Sequence, residues 1–192
     1  MKLDFQLFSW LNGLAGQNAI LDEAARLLGN EFFMPSTFGL LLLGLWIATR
    51  DARTREKNQK AIISTVLALA LVTFLVHMAY FIYQRPRPFL VHEVNLLITP
   101  PSDPSFPSNS TSVAFSIAAS VWIMNRPLGS ILLIPASLVA LSRVFMGVHY
   151  PSDILGGAAF GFLSAFASWY FLRRFPVISD SIIRTTRKLF LA

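Results

Sequence analysis

The chain has 192 residues, of which 54% are hydrophobic and 14% charged, with a mean hydropathy of +0.57 and 17 phenylalanines. That is more apolar than a water-soluble domain of this length can bury, so the chain belongs in a bilayer. Its net charge of +6 and isoelectric point near 10.2 arise from basic residues flanking apolar segments. They form no stripe interleaved with aromatics, which excludes nucleic acid as a partner. With no cysteine and only three scattered histidines, there is neither a disulfide framework nor a zinc-ligand pattern, and no cofactor or metal is expected.

The opening stretch MKLDFQLFSWLNGL carries one lysine, places Asp4 early and meets polar Asn12 before any long apolar run, unlike a cleavable leader. Leu3, Leu7, Trp10, Leu11 and Leu14 recur at helical spacing, as do Ile20, Leu21, Ala24, Leu27 and Leu28 after the Gly16-Gln17-Asn18 break. Residues 1–30 are therefore predicted as two short amphipathic helices lying at the membrane interface.

Apolar segments follow at 32–49, 61–83, 111–125, 128–147 and 154–172. At about 1.5 Å per residue most can cross a hydrocarbon core about 30 Å thick, whereas the third is short and needs its neighbours around it. Helices are the economical way to span, so the expected fold is all-α, a multi-pass transmembrane bundle occupying residues 31–175 of a single membrane-embedded domain. Within the fifth segment, Gly157 and Gly161 are spaced for close helix contact.

Arg50, Arg53, Arg55, Lys57 and Lys60 crowd the first connection, Arg126 lies in the third, and Arg173, Arg174, Arg184, Arg187 and Lys188 follow the fifth segment. Alternating helices put all three on one side, which the positive-inside rule makes cytoplasmic. The 84–110 loop and the 143–153 connection then share the opposite, extracytoplasmic face. Residues 176–192 interleave Ile178, Ile182, Ile183, Leu189 and Phe190 with basic residues, as a basic amphipathic helix on anionic lipid does.

Three polar islands fall on that outer face. The first is YQRPRPF at 83–89, where Arg85 and Arg87 are held between prolines at a helix end. Guanidinium grips phosphate through paired donors, although interfacial snorkelling accounts equally well for the two arginines alone. The second is PPSDPSFPSNSTS at 100–112, with Ser108 at an N-cap position and Asn109 opening the third segment. Such a helix N-terminus is an anion site or, on the plainer reading, a capped helix. The third is SRVFMGVHYPSD at 142–153. There Pro151 suits a first helical turn and brings Asp153 within reach of His149. A carboxylate at that distance fixes the ring tautomer and frees the other nitrogen as nucleophile or base; the plainer alternative is an Arg-Asp pair with a bystander histidine.

Ser142, Arg143, His149 and Asp153 match the S-R-x5-H-x3-D signature of the type 2 phosphatidic acid phosphatase superfamily, while R-P-F and F-P-S resemble its first and second motifs in order. RPRPFLVHEVNLLI together with PSDPSFPS resembles the bacterial undecaprenyl diphosphatase branch. The resemblance, over approximately residues 30–172, implies a lipid phosphatase of the bacterial inner membrane. It implies His149 as the nucleophile, Asp153 as its orienting partner, and Arg87, Ser108 and Arg143 as phosphate ligands beside Asn109, with no metal. Lipid phosphates or diphosphates are the implied partners.

Two departures from the family pattern bear on chemistry. The first motif usually carries a lysine seven residues before its arginine, where this chain has Tyr80 before Arg87. Arg85 or His77 are the auxiliary cations available, with His77 read first as a bundle-interior residue. The second motif usually supplies a histidine that protonates the leaving group, and this chain has Ser110. Losing general-acid help commonly costs about 10²- to 10⁴-fold. A diphosphate escapes much of that cost because its departing phosphate ester has a last pKa of about 6. Two other readings stay open: a lipid-phosphate binding, transport or regulatory protein with impaired catalysis, and a phosphatase for phosphatidic acid or phosphatidylglycerophosphate.

Overall fold

The computed structural model describes residues 2–30, 33–47 and 51–188. In chain order the helices are α1 (Lys2–Asn12), α2 (Ala19–Leu28), α3 (Phe33–Ile47), α4 (Ala52–Ile82), α5 (Pro88–Val91), α6 (Asn109–Met124), α7 (Arg126–Phe145), α8 (Pro151–Arg174) and α9 (Pro176–Lys188). No strand occurs among the described residues. Three helices, α4, α7 and α8, are long and apolar enough to cross a membrane, and α6 and the stretch Ser36–Ile47 of α3 are shorter apolar helices. The protein is a multi-pass helical membrane protein.

Short α6 is tolerated because it is enclosed. It packs against α4, α7, α8 and α3, and its Ala114, Ile117, Ala118 and Val121 join Phe38, Leu132, Ala136 and Val139 in the largest buried cluster. Lipid tails are as apolar as leucine, so helices in a bilayer associate through close contact and hydrogen bonds. Both are present between α6 and α8. A Cβ placed on Gly161 would lie 2.7 Å from the Ser112 carbonyl oxygen, and Ser116 Oγ lies 3.1 Å from Ser164 Oγ.

Helix α4 starts nine residues before the apolar segment that announced it, at Ala52 where the hydropathy pattern begins at 61. The charged run ARTREKNQK is rich in good helix formers, and Asp51 caps it by accepting the Thr54 N–H at 2.7 Å. Lys60 bridges Glu56 at 2.9 Å and Asp180 of α9 at 3.1 Å. The base of α4 and the basic C-terminal helix thus lie at one end of the bundle; Arg50, Leu189 and Phe190 lie outside the described residues.

At the other end, α1 and α2 cap the bundle. Exposed Leu3, Leu7, Trp10, Ile20, Leu21 and Leu27 face outward, while Phe8, Asn12 and Ala25 are buried. Asn12 ties α1 down through its Nδ2, which donates to Asn95 O at 2.9 Å and to Phe145 O at 2.8 Å.

Candidate active site

The third island is shaped by the end of α7. Gly147 adopts φ +83, and its N–H bonds Val144 O at 3.0 Å while the Val148 N–H bonds Arg143 O at 3.2 Å. This is a Schellman cap, which needs a left-handed residue just past the helix and so favours glycine there. The chain reverses, and Pro151 opens α8 at once. Asp153 in the first turn accepts the Tyr150 N–H on Oδ2 at 2.8 Å, half of a capping box. One cap therefore aims Arg143 and the next fixes Asp153, with His149 between them.

His149 is 1% exposed. Its Nδ1 lies 2.8 Å from Ser105 O, and its Nε2 lies 3.2 Å from Arg87 Nη1. A carbonyl only accepts and a guanidinium only donates, so the proton sits on Nδ1 and the Nε2 lone pair is free. Burial, reinforced by the Arg87 and Arg143 charges against the counter-pull of Asp153, pushes the imidazole pKa down to about 4. The ring is neutral at physiological pH, as a nitrogen nucleophile must be.

Asp153 stands further back than expected. Its Oδ2 is 3.8 Å from His149 Nδ1, beyond hydrogen-bonding range, because Ser105 O takes the Nδ1–H. Fully buried, the carboxylate instead accepts Ser105 Oγ at 2.6 Å and pairs with Arg85 Nη1 at 2.6 Å. Ser105 therefore links the two residues.

Arg87, 2% exposed, sits between Pro86 and Pro88 just before α5. Its Nε donates to Asp103 O at 2.7 Å, Nη1 to Val148 O at 2.9 Å, and Nη2 pairs with Asp103 Oδ2 at 2.9 Å. Arg143 donates from Nη1 to Gly29 O at 2.8 Å, at the end of α2.

These groups open onto a cavity of about 510 Å³. His149, Arg87, Arg143, Asn109, Ser110 and Tyr80 line its polar part, and Leu28, Phe38, Val113, Ala114 and Val139 its apolar part. The first turn of α6 contributes Asn109 and Ser110, and with them the N–H groups that a helix start leaves without intrahelical partners. Cations and helix-start N–H groups on one wall and apolar side chains on the other suit a phosphate joined to an apolar body.

The remaining predicted residues lie at the cavity or behind it. Ser108 does take the N-cap position, but its hydroxyl is buried and accepts from Thr111 Oγ1 at 3.0 Å, so it does not line the cavity. Arg85 is turned behind the cavity, held between Asp153 and Asp4, because two carboxylates compete for its fork. His77 is exposed at the cavity edge, its Nδ1 2.8 Å from Thr73 O one turn back, and is not interior to the bundle. Tyr80 lines the cavity and donates to Pro107 O at 3.1 Å, so it braces the loop as well.

Sequence reading missed Ser105 and Asp103, although both lie in the loop PPSDPSFPSNSTS. A carboxylate amid prolines, opposite two arginines of the facing loop, was the available signal for Asp103. Nothing in the sequence marks Ser105, whose carbonyl acts through its backbone position. Among the described residues no group of three or more His, Cys, Asp or Glu side chains is placed to hold a metal.

Residues 61–176 match the family described as the PAP2 superfamily. The chain belongs to the PAP2 superfamily. Among its superfamily relatives, undecaprenyl-diphosphatase BcrC of Bacillus subtilis is 29% identical over 182 residues, covering 95% of this chain and 91% of the relative. Decaprenylphosphoryl-5-phosphoribose phosphatase of Mycobacterium tuberculosis is 34% identical over 155 residues, covering 77% and 81%. The crystal structure of Aquifex aeolicus LpxE superposes with a TM-score of 0.68 at 28% identity, covering 86% of this chain and 94% of that one. Arg87, Arg143 and His149, on which the resemblance to the family rested, are among the polar groups that meet in the cavity.

Proposed function

We propose that the protein is a lipid phosphatase of the bacterial inner membrane that hydrolyses an isoprenyl diphosphate, of the undecaprenyl class, to the monophosphate at the extracytoplasmic face. The observation that carries this reading is the convergence of the His149 Nε2 lone pair with Arg87 and Arg143 in one cavity whose other wall is apolar. The similarity to undecaprenyl-diphosphatase BcrC and the basic residues at the opposite end of the bundle support it.

In the reaction, Nε2 attacks the terminal phosphorus while the bond to the bridging oxygen breaks, and the isoprenyl monophosphate leaves with that bond's electron pair. Water then attacks the phosphohistidine, restoring His149 and releasing inorganic phosphate. Charge spreads over the non-bridging oxygens during each transfer, where Arg87, Arg143 and the first-turn N–H groups of α6 stabilise it. Arg87 first has to leave His149 Nε2 and Asp103, since both contacts occupy donors that a phosphate needs. Two guanidiniums supply the neutralising charge, so turnover is expected without a divalent cation.

Ser110 lines the cavity, and its neutral hydroxyl does not protonate an alcohol leaving group at neutral pH. That favours diphosphates over phosphomonoesters, and it also keeps a second reading in view, a lipid-phosphate binder with little turnover. The deciding experiment is phosphate release by purified protein from an isoprenyl diphosphate, phosphatidic acid and phosphatidylglycerophosphate, with and without chelator. Preferential release from the diphosphate supports the proposal, and binding without release from any of them sustains the second reading.

A further inference from the structure

Asp4 belongs to none of the motifs and lies on α1, outside the bundle core. Its carboxylate nevertheless ends a continuous chain of contacts behind the candidate nucleophile. Oδ1 accepts the Ser152 N–H at 2.8 Å, and Oδ2 accepts Ser152 Oγ at 2.6 Å and Arg85 Nη2 at 2.8 Å. Arg85 Nη1 then reaches Asp153 Oδ1 at 2.6 Å, Ser105 Oγ donates to Asp153 Oδ2 at 2.6 Å, and Ser105 O meets His149 Nδ1 at 2.8 Å.

We infer that Asp4 is a positioning residue for phosphoryl transfer: it holds the Arg85 guanidinium against Asp153 and thereby fixes the Ser105 carbonyl that orients His149. This rests on the proposed function of the same site. Asp153 is fully buried, and a buried carboxylate keeps its charge and place only while its partner stays put. Arg85 is a long, partly exposed side chain, and its fork is divided between Asp153 on one arm and Asp4 on the other, with its plane over the Tyr150 ring at 4.3 Å. Removing the Asp4 charge leaves one arm untethered and lets the guanidinium swing toward water. Burial works against the Asp4 carboxylate, but hydrogen bonds from Ser152 and Arg85 outweigh it and hold its pKa below the usual range. Asp4 is therefore charged throughout the neutral range.

A purely structural role for Asp4, pinning α1 to the bundle, is redundant. Phe8 is 1% exposed and packs on Tyr150 with ring centroids 5.5 Å apart, and Asn12 holds the helix end through Asn95 and Phe145. These contacts are expected to keep helix α1 docked without the Asp4 charge. What is lost is the constraint on Arg85.

The test is Asp4→Asn in the full chain, which keeps the shape and removes the charge. Its readouts are kcat and KM on an isoprenyl diphosphate, together with binding of orthovanadate, a mimic of phosphoryl transfer, and of inorganic phosphate. Expected are a fall in kcat of about tenfold with KM within about twofold, a similar loss for vanadate, unchanged phosphate binding, and partial recovery in Asp4→Glu. A folded variant whose kcat and vanadate affinity stay within about twofold of the parent overturns the inference. Should Asp4→Asn not fold, Ser152→Ala removes a hydroxyl shared by Asp4 and Arg85; it is expected to lower kcat about threefold, and an unchanged kcat overturns the inference equally. If the parent protein turns over no isoprenyl diphosphate, the proposed function fails, and the vanadate comparison alone decides for or against Asp4.

Discussion

The carbonyl of Ser105 meets His149 Nδ1 at 2.8 Å while the hydroxyl of the same serine donates to Asp153 Oδ2 at 2.6 Å. One residue thus fixes the imidazole tautomer and ties it to the buried carboxylate. Ser105→Ala keeps the carbonyl and removes the tie. The expected result is a fall in kcat of about tenfold with little change in KM, because the ring keeps its proton on Nδ1 and loses only rigidity. Steady-state kinetics on the isoprenyl diphosphate check it, and an unchanged kcat would leave Asp153 without a path to His149 through this serine.

His149→Gln removes the nucleophile while filling much of the same space. Turnover is expected to drop by about 10³-fold or more, with lipid binding retained through Arg87 and Arg143. Brief reaction of the parent protein with terminally labelled diphosphate followed by alkaline quenching should trap label on protein, since phosphohistidine survives alkali and not acid. The variant should trap none.

The pKa of His149, pushed down to about 4 by burial and by its arginine neighbours, has a consequence for stability. The folded-state value lies below the ordinary one of about 6.5, so the unfolded chain binds the proton more readily between those pH values. Stability from this group is complete above about pH 6.5 and is lost as pH falls toward about 4. Thermal unfolding in detergent should show the melting temperature declining over that window, and His149→Gln should flatten that part of the profile. Imidazole resonances followed by NMR should show the His149 ring titrating at about 4.

What the sequence made legible here is uneven. The segment pattern gave the helices in order, because hydropathy is the property a bilayer selects, and it missed the first turns of α4 because those residues lie beyond the apolar core. The convergence of Arg87, Arg143 and His149 was legible because each sits in a short motif with recognisable spacing. The partners that orient them were not. Ser105 acts through a carbonyl, Gly29 likewise, and backbone groups carry no residue signature. Asp4 reaches Ser152 across most of the chain, a separation that local patterns do not encode. The pairing of Arg85, offered from the sequence as one auxiliary cation, depends on two carboxylates from separate helices, which local patterns do not show.

Asp103 holds Arg87 Nη2 at 2.9 Å, with its own side chain 42% exposed. In the resting state this pair occupies a donor that an incoming phosphate requires, so only the fraction of molecules with the pair open is ready to bind. Asp103→Asn removes the charge and leaves the backbone carbonyl that holds Arg87 Nε. Arg87 is buried but the Asp103 end of the pair is open to solvent, which keeps the pair modest in strength, so affinity for inorganic phosphate is expected to rise about three- to tenfold by calorimetry. Weaker binding would instead mean that Asp103 holds Arg87 in its productive orientation.

Ser110 lines the cavity in the first turn of α6, beside Asn109, and His149 lines the same cavity. Serine at neutral pH supplies no proton to a departing oxygen, and how much that matters depends on the leaving group. A monoester expels an alkoxide, which needs protonation as the bond breaks; a diphosphate expels a phosphate ester whose last pKa is about 6, which leaves as an anion. Ser110→His is therefore expected to raise hydrolysis of phosphatidic acid by about 10²-fold and that of the isoprenyl diphosphate by less than about tenfold. The ratio of the two rates, measured side by side on one preparation, is the quantity to read. Equal gains on both substrates would show that the serine limits turnover whatever departs, and the preference for diphosphates would need another cause within the cavity.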